Sequence, residues 1–456
     1  MAPAVACGAT AGLNRETVVR RWSAILVAAA GALLLATWPR PAWAEDAQLQ
    51  KLIATAKPGA VITVTAGVHC VHLLIDKPVT LEGTIGAVLD GGGSGDVVRV
   101  TASRVILRGL VIRNSGQDLT SMNAGIYVAK SARDVSIIDN DFKNVLFGVY
   151  LDGAAGTKVM RNRIRGMTRL RRQDRGDGIH LWNDTDVVIQ GNDISGTRDG
   201  IYIYISPHNR IVGNRIHAVR YGIHYMYSMN NVIANNVSFD NRAGYALMQS
   251  RNLQIRDNSS SGDRDYGILL NYVTFSRFSD NRIAHVRGET NVDGTVVPGA
   301  EGKGIFVYNS EYDRFAYNRV ADCPIGIHVT AGSNHDVFYD NAFVRNRVQV
   351  KYVQNMPEEW SWHGVGNYWT DYLGWDMNGD GIGDVPYRPN DGVDILLWDY
   401  PDAALLMNSP AILVLRYVQR AFPIFAPPSV ADSHPLMKPP ASPAPADGRQ
   451  RYALRN

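Results

Sequence analysis

The chain has 456 residues, 45% of them hydrophobic and 20% charged, ample to bury a core. Its 46 basic and 43 acidic side chains leave a net charge of +3, so bulk electrostatics do not imply nucleic acid, and no such partner is expected.

At the N-terminus, Arg15, Arg20 and Arg21 precede an apolar run from Trp22 to Trp38, and Ala42-Trp43-Ala44 supplies a small-x-small cleavage pattern. Residues 1–44 read as a signal peptide, with a mature chain from Glu45 working outside the cytoplasm; an uncleaved anchor is the alternative. Cys7 leaves with this segment. Cys70 and Cys323 lie near opposite ends of the repeat region, beyond disulfide reach, and are expected as two unpaired, buried thiols.

Residues 45–355 carry the main pattern. Gly125, Gly148, Gly178, Gly200, Gly222, Gly244, Gly267, Gly304 and Gly326 each open a mostly apolar strand. A second ladder, Asn140, Asn162, Asn192, Asn214, Asn235, Asn258, Asn281, Asn318 and Asn341, interleaves with the first. Most steps are 21 to 23 residues, so one unit repeats about nine times. Period-two alternation between turn residues leaves no room for a helix in the unit. The fold class is therefore all-β, a right-handed parallel β-helix with about 22 residues per turn. Stacked Asn side chains would hydrogen-bond along the ladder and take left-handed backbone angles at the bends.

Alternation also sorts the columns. The first and third positions after each Gly are predicted core, as in Ile201 and Ile203. The second position, with Tyr127, Tyr150, His180, Tyr202, His224, Ala246, Leu269, Phe306 and His328, faces outward, as does the fourth, with Trp182, Tyr204, Met226 and Met248. An exposed wall of aromatic, His and Met side chains is a candidate binding surface. Aromatic platforms suit sugars, whereas thioether and imidazole suit Cu(I). Met226 and Met248 fall on neighbouring rungs with His224 on the same face, a workable two-Met, one-His copper site, and Met229 lies just past it. Filling gaps between aromatics is the plainer role for these methionines. The stretch Tyr204-Ile205-Ser206-Pro207-His208-Asn209 resembles the Asp-Pro-His-Asp stretch of mannuronan C5-epimerases, but Ser206 and Asn209 replace both acids, so it reads as structural or groove lining.

Two steps are long. The first holds a basic loop with Arg169, Arg171, Arg172 and Arg175, a candidate electrostatic docking site; the second has its excess near Glu289 to Glu301. Residues 356–402 read as a C-terminal cap. Within it Asp376, Asn378, Asp380, Ile382 and Asp384 have the spacing of a calcium loop, with Tyr387 in place of the closing Glu, so Ca2+ would need Asp391 or Asp394; an Asx-turn loop without metal is the alternative. Residues 403–425 read as a short amphipathic helical tail that docks on a membrane partner or on the solenoid's own flank, with Leu413, Leu415, Tyr417 and Phe422 as candidate contacts. Residues 426–456, rich in Pro and Ala, read as a disordered tail.

Gly222-Ile223-His224-Tyr225-Met226-Tyr227-Ser228, the terminal Gly366-Asn367-Tyr368-Trp369 with Trp375 to Tyr387, and the apolar tail together resemble the NosD family, periplasmic β-helix proteins of nitrous oxide reductase maturation. The resemblance covers nearly the whole mature chain. It implies a non-catalytic role beside an ABC transporter, with a cytoplasmic ATPase and a membrane permease, through which the protein is held at the membrane. Cu(I) would come transiently from a membrane-anchored copper chaperone and pass to the apo nitrous oxide reductase, and ATP-driven changes would reach the rod through its C-terminal helices. It does not say which residues hold copper. A carbohydrate-active protein using the aromatic groove, epimerase-like or lyase-like, and a pure scaffold that ligates no metal are the other readings.

Overall fold

The computed structural model describes residues 47–292, 296–400, 409–421 and 429–441. The leader with Cys7, residues 401–408, Phe422 and the last fifteen positions, together with the expectations placed on them, lie outside the described residues.

Three parallel sheets of 12, 13 and 12 strands run the length of the solenoid. The first extends from Val61–Val64 to Val337–Tyr339, the second from Gly67–Cys70 to Tyr368–Trp369, and the third from Leu73–Ile75 to Val348–Val353. Consecutive strands of the chain enter different sheets, and each pairs with the strand one turn later. There are about 13 turns, more than the nine expected, because the turns before Gly125 carry no Gly-Ile signature. The core columns are as the alternation predicts: Ile126, Val149, Ile179, Ile201 and Ile223 are fully buried, as are Val128, Leu151, Leu181, Ile203 and Tyr225. Each such aliphatic side chain contributes about 1.5–3 kcal/mol through burial. Phe278, Phe315 and Phe338 stack at 4.6 and 4.5 Å between centroids in the same interior.

The repeat glycines are set by close approach. A Cβ on Gly178 would stand 2.6 Å from the Gly200 carbonyl oxygen, and one on Gly200 would stand 2.5 Å from that of Gly222, so a side chain would push adjacent turns apart.

The Asn ladder closes each turn from within. Asn162 Nδ2 donates to Asn192 Oδ1 at 3.0 Å and to the Ile137 carbonyl at 2.9 Å, while Asn162 Oδ1 accepts from the N–H and the Nδ2 of Asn140. The pattern continues through Asn214 and Asn258 to Asn367. Two details differ from expectation. The rung near 235 is filled by buried Asn236, while Asn235 is exposed with φ 56°. Left-handed angles fall not on the buried ladder asparagines but on the residue before each, as at Asp139, Arg161 and Asp257.

Both ends are covered. Helix Ala47–Thr55, not anticipated from the sequence, buries Leu49 and Ile53 against the first strands. At the other end Trp360 stacks on Phe338 at 4.0 Å, and Trp369 on Phe343 at 4.5 Å. The expected disorder of the tail is overturned for 429–441: Val430–Ala431 pairs with Glu358–Glu359, and Leu436 bonds to Asn367. Asp432, fully buried, accepts from Trp369 Nε1 at 2.8 Å and the Asn367 N–H at 2.7 Å. Burial pushes its carboxyl up to about 6 despite those bonds. A Pro-rich strap needs few backbone donors, and here Asp432 fastens it together with the short strand pairing and the Ser433 bonds to Glu359. Cys70 and Cys323 are free thiols, but Cys70 is only half-buried.

In the column that holds Asn209 and Asn231, later turns carry Asp313 and Asp336. Each uses one oxygen to accept a backbone N–H, from Ser276 and Asp313 respectively, and leaves its second oxygen buried without a partner among the described residues. Burial pushes both carboxyls well above the usual range. A raised folded value means a contribution present at low pH and lost as pH climbs past the ordinary carboxylate range. D313N/D336N should therefore gain melting temperature over the parent, and the gain should grow as pH rises from the ordinary carboxylate range near 4 to about 8. A gain independent of pH in thermal melts would contradict this.

Candidate functional site

The outward face of the third sheet is set by register. His180, Tyr202, His224 and Ala246 pair on consecutive turns, as do Trp182, Tyr204, Met226 and Met248. The expectation of an open wall holds only for the second of these columns. Trp182 is exposed and Met226 and Met248 are half-buried, but Tyr150, His180 and His224 are buried. Rings from strand starts close over them: Phe147 meets His180 edge-on at 5.6 Å and Tyr221 meets His224 edge-on at 5.0 Å. Tyr150 stacks on His180 at 4.5 Å, and Tyr202 packs between His180 and His224 at 4.8 and 4.6 Å.

Each histidine is oriented by a buried carboxylate. His180 Nδ1 lies 2.8 Å from Asp177 Oδ2, and His224 Nδ1 lies 2.9 Å from Asp199 Oδ2. Arg198 bonds Asp177, and Arg220 bonds Asp199 through both Nε and Nη2, at 2.8 and 2.6 Å. Burial alone would raise Asp199, but the Arg220 and His224 bonds overcome it and hold the carboxyl below its usual range. When Nδ1–H donates to the carboxylate, Nε2 carries the lone pair. In both rings Nε2 is buried without a partner among the described residues, a cost of about 1–3 kcal/mol that the carboxylate-oriented histidines of metal sites recover through the metal.

The fourth column adds sulfur. Met226 and Met248 are direct cross-turn partners, and Tyr202 donates its O–H to Met226 Sδ at 3.4 Å. Burial pushes that phenol up to about 12, so it remains a donor. Met229 is not brought to this face: it falls in the turn beyond the left-handed Tyr227, with Arg251 Nη2 3.8 Å from its sulfur. A guanidinium there opposes a second cation. Of the candidate ligands, His224, Met226 and Met248 share this face, two thioethers and one imidazole of the softness that Cu(I) takes. His180 with Asp177 repeats the arrangement of His224 with Asp199, and sequence reasoning missed it. Its visible trace is an Asp immediately before the repeat Gly in successive turns, at 177 and 199, each followed 21 residues later by Arg.

The remaining candidates separate in space. In the basic loop, Arg175 donates to the carbonyls of Leu170, Gly196 and Thr168, and Arg171 pairs with Asp174. Arg169 and Arg172 are exposed, with no ion pair among the described residues. Met167, at the base of the loop, is buried in a cluster with Phe147 and Tyr150. Ser206 Oγ and Asn209 Oδ1 accept the backbone N–H groups of Asp184 and Val187 inside the solenoid wall, which makes the epimerase-like stretch structural. In the cap, Asp376 accepts from Gly379 and Gly381, Asp380 from Ile382, Asn378 from Asp380 and Asp384 from Met377. The loop is closed by its own Asx bonds, and no group of three or more His, Cys, Asp or Glu among the described residues is gathered to hold an ion. Asp391 and Asp394, the expected substitute ligands, instead form a capping box on helix Gly392–Asp399 and pair with Arg416 of helix Pro410–Ala421. That second helix leaves Leu413 61% and Tyr417 71% exposed, with Leu415 also exposed. No helix among the described residues is long and apolar enough to cross a membrane.

The fold is a parallel β-solenoid whose third sheet carries His, Met and aromatic side chains on its outer face. Residues 160–374 match the family model described as periplasmic copper-binding protein (NosD). The chain is 53% identical to a probable ABC transporter binding protein NosD of Pseudomonas aeruginosa, over 83% of this chain and 89% of that one. It is 49% identical to the protein of the same description from Stutzerimonas stutzeri, over 82% and 86%. The chain belongs to the NosD family. Among solved structures it is similar in fold to the A-module of Azotobacter vinelandii mannuronan C-5 epimerase AlgE4, with TM-score 0.56 and 15% identity over 70% of this chain and 96% of that one. A Yersinia enterocolitica family 28 exopolygalacturonase gives TM-score 0.51 at 11% identity, over 67% and 74%.

Proposed function

We propose that this chain is a periplasmic accessory protein for maturation of nitrous oxide reductase: it accepts Cu(I) from a membrane-anchored chaperone and, with an ABC transporter, passes it to the apo reductase. The observation that carries the reading is the in-register pair Met226 and Met248 beside a carboxylate-oriented His224 with a free Nε2. Family membership supports copper and the periplasm, and the names of the relatives support a transporter. The role is binding rather than catalysis. It is supported by the use of Ser206 and Asn209 in the solenoid wall, where related folds would need acids.

Protein produced from Glu45 onward should bind Cu(I) in an anaerobic competition titration, and H224A/M226L/M248L should lose an equivalent that the parent binds. Unchanged affinity would remove the assignment.

Partner contacts are drawn from the side chains left exposed. Leu413 and Tyr417, one helical turn apart on a helix fastened to the cap by Arg416, offer a face to the permease, and Leu415 is a further exposed contact on the other side of that helix. Replacing all three by Ser should abolish co-purification with the transporter while leaving the melting temperature unchanged; retained co-purification would refute that contact. Arg169 and Arg172, the free charges of the basic loop, serve electrostatic docking of the chaperone or the reductase. Reversing both to Glu should weaken one of these associations most strongly at low salt. A defect of equal size at all ionic strengths would rule out electrostatic docking.

A further inference from the structure

The column that supplies His224 holds a second histidine two turns earlier, and its surroundings repeat the same elements. His180 is 5% exposed, its Nδ1 is fixed by Asp177 at 2.8 Å, and its Nε2 is buried with no partner among the described residues. A stack needing only a flat ring would be served by a phenol, as Tyr150 and Tyr202 on the adjacent turns demonstrate. An imidazole with one nitrogen held and the other bare is costly as packing and suited to a ligand.

Sulfur is again at hand. The rings of Phe147 and Tyr150, against which His180 packs, belong to one apolar cluster with buried Met167, and Met122 packs on that cluster. The two methionines come from separate covering loops, and Met122 holds the left-handed φ of 53° that such a residue seldom adopts. The loop after Met167 is tied down by Arg175, whose guanidinium reaches across to the Gly196 carbonyl. One imidazole and two thioethers, supplied from three segments, match the donor set of His224, Met226 and Met248.

We propose that the chain carries a second Cu(I) station, made by His180 Nε2 with the thioethers of Met167 and Met122, two turns from the first. The proposal rests on the reading that this face handles Cu(I). Two strand spacings, about 10 Å, separate the stations, with Tyr202 packed against both imidazoles. The rod would then hold two ions in a row.

The test is the stoichiometry of Cu(I) alone, titrated anaerobically against a chromophoric chelator into the chain from Glu45, with parallel circular dichroism to confirm folding. The parent should take two equivalents. H180A should take one, as should M122L/M167L, whose near-equal volumes preserve packing, while M226L/M248L should lose the other and keep this one. A parent that binds one equivalent or none, or folded H180A and M122L/M167L that keep both, would overturn the second station. Loss confined to M226L/M248L would leave the first station standing and this one refuted; loss confined to H180A and M122L/M167L would do the reverse.

Discussion

The buried asparagine amide is the interaction on which the molecule depends. Each one accepts and donates along the axis and also satisfies a carbonyl of the preceding turn, so it fixes the height and the angular position of the next turn at once. With register fixed, a residue type recurring at one position becomes a continuous column. Glycine at the strand starts lets neighbouring turns approach, and the aliphatic columns beside it fill the interior. Functional side chains then gain a spacing and an orientation from the ladder, not from their own loops. Two methionines 22 residues apart in sequence become cross-strand partners because of hydrogen bonds made elsewhere in the turn.

That dependence explains what was legible in the sequence. The Gly and Asn ladders, the core columns and the pairing of Met226 with Met248 all follow from period and alternation, which are local properties. The choice of Asn235 over Asn236 failed because adjacent identical residues leave the bend undetermined by one position. Whether an outward side chain is covered was not legible, since Phe147, Tyr221 and the loop at Met167 close over His180 and His224 from other positions in the chain. The strap at 429–441 was hidden for a similar reason. Its composition reads as disorder, and what orders it is Asp432 meeting Trp369 and Asn367, more than 60 residues away.

Among the described residues, identifiable contacts join the solenoid to its C-terminal helices. Asn390 donates to the Val350 carbonyl at one side of the helical excursion, and Asp432 locks into the last Asn rung at the other. Between them, Arg416 ties helix Pro410–Ala421 to the carboxylates that cap helix Gly392–Asp399. A pull on this helix would pass through Arg416 to Asp391 and Asp394, beside Asn390, and so to Val350 in the last strand of the third sheet, a route by which the proposed transporter contact would load the rod.

The central claim is that Cu(I) rests on sulfur and imidazole along the outer face of the third sheet. X-ray absorption at the copper edge of the Cu(I)-loaded chain reports those ligands directly. The account predicts a mixed sulfur and nitrogen shell whose sulfur contribution falls in M226L/M248L. A shell of nitrogen and oxygen only, or a sulfur signal untouched by that double substitution, would contradict it.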